Sequence, residues 1–164
     1  MRGIEFEIVW FDQDVTEYQI TCSNGPFRCA ARMYLAPDDL SKVAEILSGF
    51  PSSVQDVRDV KLGAFESNAA GGGIHMNFRC VDSVGHVTIR VMLRGDRNQV
   101  CDEHQSACLH IPVEAGSIDA FVNQASRIQR ATGVKAYLQM ADHTVGWVQR
   151  IFPDLAAFSN RNLR

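Results

Sequence analysis

Long apolar runs are missing from this chain. None approaches the roughly 20 residues that a helix needs to cross a bilayer. The N-terminal MRGIEFEIVWF carries one arginine and then acidic residues alternating with apolar ones, without the continuous apolar stretch and small-residue cleavage site of an export signal. The expectation is a cytoplasmic protein with no membrane partner. A basic excess is missing too. Lys and Arg total 16 against 19 Asp and Glu, a formal net charge of -3. Nucleic-acid-binding domains usually show the opposite balance, so nucleic acid is not the expected partner, although a local basic face stays open. Five cysteines are an odd number. Without an export signal they read as reduced thiols and not as a disulfide framework.

The motifs of common chemistries are equally scarce. The chain has no nucleophile elbow, no metalloprotease helix and no dinucleotide fingerprint. Neither an internal repeat nor a low-complexity tract stands out. Gly71-Gly72-Gly73 invites a phosphate-binding reading, but a phosphate loop needs a helix after it, whose free N–H groups face the anion. Here IHMNFRCV follows, which alternates as a strand does, so the glycines read as a loop between strands.

What is present is period-two alternation. IEFEIVWF sets Ile4, Phe6, Ile8 and Trp10 on one face, with Glu5 and Glu7 on the other. EYQITC and PFRCAARMYL flank SNGP, and Asn-Gly is a strong hairpin signal because both turn positions accept positive φ. A two-residue turn at Asn24 and Gly25 sets Cys22 opposite Phe27 and Ile20 opposite Cys29. VRDVKLGAF turns Val60 and Leu62 inward. IHMNFRCV and HVTIRVMLR, joined by DSVG, pair Cys80 with Val87, Phe78 with Ile89, Met76 with Val91 and Ile74 with Leu93. SACLHIPV adds a seventh strand with Ala107, Leu109 and Ile111 inward.

Two helices interrupt the strands. APDDLSKVAEILSGFP has Pro37 at a first helical position and Asp38 and Asp39 at the positive end of the dipole. Its apolar stripe is Leu40, Val43, Ala44 and Leu47, and Gly49 and Pro51 stop it. SIDAFVNQASRIQRATG carries Ile118, Phe121, Val122, Ala125 and Ile128 on one stripe, with Arg127 and Arg130 toward its C-terminus. The expected fold is α+β: a curved, mainly antiparallel sheet of about seven strands, two amphipathic helices on its inner face, and an apolar C-terminal tail. Residues 1–133 read as a single domain and residues 134–164 as a docking or association segment. That segment holds Tyr137, Leu138, Met140, Trp147, Val148, Ile151, Phe152, Leu155 and Phe158, which are too many large apolar groups to leave in water, and a second copy of the chain is the expected partner.

CDEHQSACLH, residues 101–110, concentrates cysteine and histidine. Cys101 with His104 and Cys108 with His110 lie too close together for two independent zinc knuckles, and the spacing fits no usual zinc framework. A cysteine nucleophile with a histidine base needs a third group to orient the base, and the sequence identifies none. The stretch reads as a polar loop running into a strand. Cys22, Cys29 and Cys80 fall on inward faces, where cysteine acts as a small hydrophobe. No metal, cofactor or catalytic residue is expected.

The best candidate surface is the polar face of the central hairpin. His75, Asn77, Arg79, Thr88, Arg90 and Arg94 share it, and Cys108 and His110 join them if the seventh strand pairs with the sixth. Its guanidinium groups suit an anionic ligand or an acidic partner surface through forked, charge-assisted bonds. The plainer alternative is a solvated sheet face whose charges pair with Glu5, Glu7 or Asp59.

The phrases SNGPF, PDDLSKVAEILSGFP, LGAFE, AGGG, FRCVDSVGH and IPVEAGSIDAFV resemble a small bacterial protein family with no established activity. The resemblance spans the second strand to the second helix, implies one small domain and transfers no catalytic residue. Compact chains of this make-up also occur among bacterial toxin-immunity proteins, an analogy of build alone. Two function classes follow. One is a non-catalytic binding protein, immunity-like or regulatory, with a protein partner. The other is a small-molecule or anion-binding protein, enzymes included, using the arginine- and histidine-rich face.

Overall fold

The computed structural model describes residues 1–65, 71–97 and 103–142, with the backbone alone for Arg97. Its elements run β1 (Gly3–Phe11), β2 (Thr16–Ser23), β3 (Arg28–Leu35), α1 (Asp39–Leu47), β4 (Val57–Gly63), β5 (Gly73–Cys80), β6 (His86–Arg97), β7 (His104–Glu114), α2 (Ala115–Ala125) and β8 (Lys135–Gln139). The fold is α+β with antiparallel pairing, but the strands form two four-stranded sheets instead of one sheet of about seven. Sheet A has the order β3-β2-β1-β8 and sheet B the order β4-β5-β6-β7.

The element order β-β-β-α-β occurs twice along the chain. The fourth strand of each set leaves its own sheet: β4 pairs with β5 and β8 with β1. Each helix therefore carries the chain from one sheet to the other. Nothing in the sequence repeats visibly, because apolar patterning can be met by unrelated residues. One continuous core joins both sheets and both helices, including Phe6, Ile20, Leu47, Phe78, Ile89 and Phe121. Among the described residues no helix is long and apolar enough to cross a membrane.

The β5–β6 register has Cys80 on Val87, Phe78 on Ile89, Met76 on Val91 and Ile74 on Leu93, as the alternation predicts. The β2–β3 register differs by two residues. Cys22 lies opposite Cys29 and Ile20 opposite Ala31. A two-residue turn would close on Ser23 and Pro26, and Pro26 has no N–H to donate. The loop closes one pair tighter instead: Asn24 N–H donates to Phe27 O, and Phe27 N–H donates to the Asn24 side chain. A shift of two keeps the faces, but Phe27 leaves the core and is 69% exposed. Trp10 is also outside, 48% exposed, because the β1–β2 register shifts between Ile8 and Trp10 and sets Trp10 opposite Glu17.

In α1, Leu40, Val43, Ala44 and Leu47 are buried as expected, but the helix begins at Asp39, leaving Pro37 in the preceding turn. The last turn of α1 has no basic residue of its own. Arg58 of β4 supplies one, donating to Ile46 O at 2.6 Å and Ser48 O at 2.8 Å. α2 stops at Ala125, short of the predicted span. Arg130 then donates to the carbonyls of Asp12 and Val15 and lies over the Phe11 ring.

The glycine run is where the two sheets meet. Gly72 N–H donates to Arg32 O of β3 at 3.0 Å, and Gly72 O accepts from Ala64 N–H. A Cβ on Gly72 would stand 2.5 Å from Arg94 O and 2.6 Å from Arg32 O. The position requires glycine for close backbone approach, not for anion binding.

The first part of the apolar C-terminal segment belongs to sheet A. β8 pairs with β1, Ala136 and Leu138 are buried, and Met140 N–H donates to Arg2 O. Ala141 N–H donates to Pro112 O of β7, so the same segment reaches sheet B. Trp147, Val148, Ile151, Phe152, Leu155 and Phe158 lie outside the described residues.

Candidate functional site

The antiparallel ladders of sheet B order its polar face in rows. One row is Val57, Arg79, Thr88 and Pro112; the next is Asp59, Asn77, Arg90 and His110; the third is Lys61, His75, Met92 and Cys108. Arg94 sits in a fourth row between Gly73 and Ser106. All seven candidate residues, His75, Asn77, Arg79, Thr88, Arg90, Arg94 and His110, thus share one face, with Cys108 beside them.

Their environments separate them. His75 Nε2 lies 2.8 Å from Asp59 Oδ1, and Asn77 Nδ2 donates to the same oxygen at 3.1 Å. The bond from His75, followed by that from Asn77, holds the Asp59 carboxyl below the usual carboxylate range. The His75 ring also meets Phe65 edge-on at 6.5 Å. The Thr88 hydroxyl is buried and has no hydrogen-bond partner among the described residues. Arg94 is half-buried and donates to Phe65 O. These side chains are absorbed into the sheet and its margin.

Arg79 and Arg90 are different. Both are exposed, and neither makes a hydrogen bond or ion pair among the described residues. Arg79 lies opposite Thr88, two residues from Arg90 on the same strand. The two arginines are therefore diagonal neighbours, roughly 7–8 Å apart. His110, directly opposite Arg90, is also exposed. Exposed Val57 and Met92 flank the pair on the same face. Glu5 and Glu7 do not compensate these arginines. They pair with Lys135 of β8 on sheet A, at 3.3 and 3.1 Å.

The cysteine–histidine stretch resolves into separate places. Cys101 lies outside the described residues. His104 Nδ1 is 3.1 Å from Gly95 O, while Cys108 and His110 are exposed on β7. No group of three or more His, Cys, Asp or Glu side chains among the described residues is arranged to hold a metal ion. A second Asp–His contact, Asp82 Oδ2 to His86 Nδ1 at 2.5 Å, sits at the β5–β6 turn with Glu114 3.7 Å from the other ring nitrogen. Asp82 also accepts the backbone N–H groups of Val84 and His86, which makes it a turn-closing residue.

One cleft of about 180 Å³ lies away from the arginine face, lined by Cys29, Leu93, Gly95, Gln105, Ser106 and Ala107. Cys29 packs against the core, as the alternation expects, but it is only partly buried and also lines this opening, which alternation alone does not reveal. The signal lay in Pro26, which cannot close a turn on Ser23 and so sets Cys29 opposite Cys22.

No protein-family model, curated protein or solved structure matches this chain.

Proposed function

We propose that the protein is a non-catalytic binding protein, immunity-like or regulatory in kind, which docks an acidic surface of a partner protein on the outer face of sheet B. The observation that carries this reading is the pair Arg79 and Arg90, exposed and adjacent, with no carboxylate partner among the described residues, on a face where Asp59 is already engaged by His75 and Asn77. The flanking exposed Val57 and Met92 add apolar contact. Arginine and methionine are enriched in protein interfaces, and a forked guanidinium matches a carboxylate. The small-anion alternative has less support. Sites for small ligands are concave, typically about 300–1,000 Å³, whereas these arginines stand on a sheet face, apart from the cleft described above. The same reading includes self-association through the apolar residues beyond Asp142.

A labelled poly-glutamate peptide tests the acidic-surface reading by fluorescence anisotropy. Binding should weaken at least about tenfold in the double variant Arg79→Glu, Arg90→Glu, the loss expected when two charge-assisted contacts turn repulsive. It should also fall with salt, and the control Arg28→Glu on sheet A should leave it unchanged. Peptide binding indifferent to the reversal would overturn the proposal. So would inorganic phosphate that raises the melting temperature at micromolar concentration only while both arginines are present, because that result assigns the face to a small anion.

A further inference from the structure

The structure carries a second inference, independent of the arginine face. Cys22 and Cys29 are directly opposed partners on β2 and β3. Directly opposed residues of an antiparallel pair have Cα atoms roughly 4.5–5.5 Å apart, inside the range a disulfide spans. Both cysteines are free thiols. Cys22 is fully buried, while Cys29 lines the cleft between β3 and the adjoining ends of β6 and β7. Among the described residues Cys80 and Cys108 have no such companion: their ladder partners are Val87 and Met92. One sulfur that solvent reaches and one directly behind it are the layout of an attacking and a resolving thiol.

We propose that Cys22 and Cys29 form a reversible thiol–disulfide site, with Cys29 the sulfur that reacts first with a small peroxide entering the cleft and Cys22 the thiol that closes the disulfide. In the first step the Cys29 thiolate attacks one peroxide oxygen. The O–O bond breaks, the remaining oxygen leaves as an alkoxide or hydroxide and takes up the proton that Cys29 released on ionising, giving an alcohol or water, and Cys29 becomes a sulfenic acid. In the second step the Cys22 sulfur attacks Cys29 Sγ. The S–S bond forms, the S–O bond breaks, and hydroxide leaves with the proton from Cys22 as water. Two thiols lose two electrons in all, and one peroxide accepts them. A dithiol reductant reverses the change.

The electrostatics agree with this order. The hydrogen bond between the thiols is the largest influence on both: it holds Cys29 down, to about 7, and drives Cys22 far up, with burial adding to the rise. The Cys22 S–H thus stabilises the thiolate that must attack first. A pair of inert core cysteines needs no opening to solvent.

The experiment treats the full chain with hydrogen peroxide and follows intact mass and peptide maps. The expected product is a Cys22–Cys29 disulfide, lighter by two hydrogens, formed before Cys108 is oxidised and lost on adding dithiothreitol. Cys22→Ala should let Cys29 sulfenic acid persist, where dimedone captures it. The same change should slow alkylation of Cys29 by iodoacetamide severalfold at neutral pH, since the S–H donor is gone. Cys29→Ser should leave Cys22 unmodified. Circular dichroism of each variant establishes that it is folded, and the untreated-to-treated comparison in the parent chain stands even if a variant is not. Oxidation of Cys108 first, with no Cys22–Cys29 disulfide in the parent chain, overturns the proposal.

Discussion

Asp59 Oδ1 holds two of the seven polar side chains of the candidate face, His75 and Asn77. Those bonds depress its carboxyl in the fold. A carboxylate depressed in this way lends stability above its unfolded pKa and loses that contribution as pH falls through the lower, folded value. The window is therefore acid, below about pH 4. Asp59→Asn should flatten the decline in stability between about pH 4 and pH 2, read by urea titration at each pH; a variant as steep as its parent contradicts the assignment. Burial separates two further neighbours. Ile89 is inaccessible and Arg90 is exposed. Ile89→Asp should cost more than about 4 kcal/mol, because it buries an unpaired carboxylate, while Arg90→Asp should stay within about 0.5 kcal/mol. Thermal melts that rank them the other way would invert the faces of sheet B.

At the scale of elements, alternation made the strands legible and told inward from outward residues almost throughout β4 to β7. Register was legible only where the turn chemistry was simple. DSVG closes as expected, with Asp82 accepting the turn's backbone N–H groups. SNGP does not, since the proline removes a ladder donor. Trp10 was misread for a comparable reason: a bulge leaves no trace in composition. β8 was invisible as a strand because KAYLQ is short and its partner, β1, is more than a hundred residues away. The candidate face was legible as a set of residues, but which of them are engaged was not, because that depends on a carboxylate from another strand. The glycines yield an element-scale prediction. Gly72→Ala forces a Cβ against two carbonyl oxygens and should cost about 3 kcal/mol. Gly116→Ala, in α2 with open space around it, should be neutral or stabilising by up to about 1 kcal/mol. Denaturant midpoints compare the two directly, and equal effects would contradict the close approach of the sheets at Gly72.

Over the whole molecule, each β-β-β-α-β set lends its last strand to the other sheet, so neither sheet is complete without the opposite half of the chain. Truncation after Gly133 removes β8 with buried Ala136 and Leu138 and should unfold sheet A. Truncation after Asp142 keeps β8 and should preserve the circular dichroism spectrum while abolishing the self-association proposed for the full chain, as read by light scattering. A full-length chain that stays monomeric at high concentration contradicts that part of the account. The central claim is that the outer face of sheet B binds an acidic partner protein through Arg79 and Arg90. Its most direct measurement is quantitative affinity capture from the source cell with the parent chain, the Arg79→Glu, Arg90→Glu variant and the Arg28→Glu control as parallel baits, followed by reconstitution of the captured protein in purified form. The account predicts an acidic protein retained by the parent and the control, lost with the double variant, released by salt, and bound again in the purified pair. A partner that binds all three baits equally would contradict it.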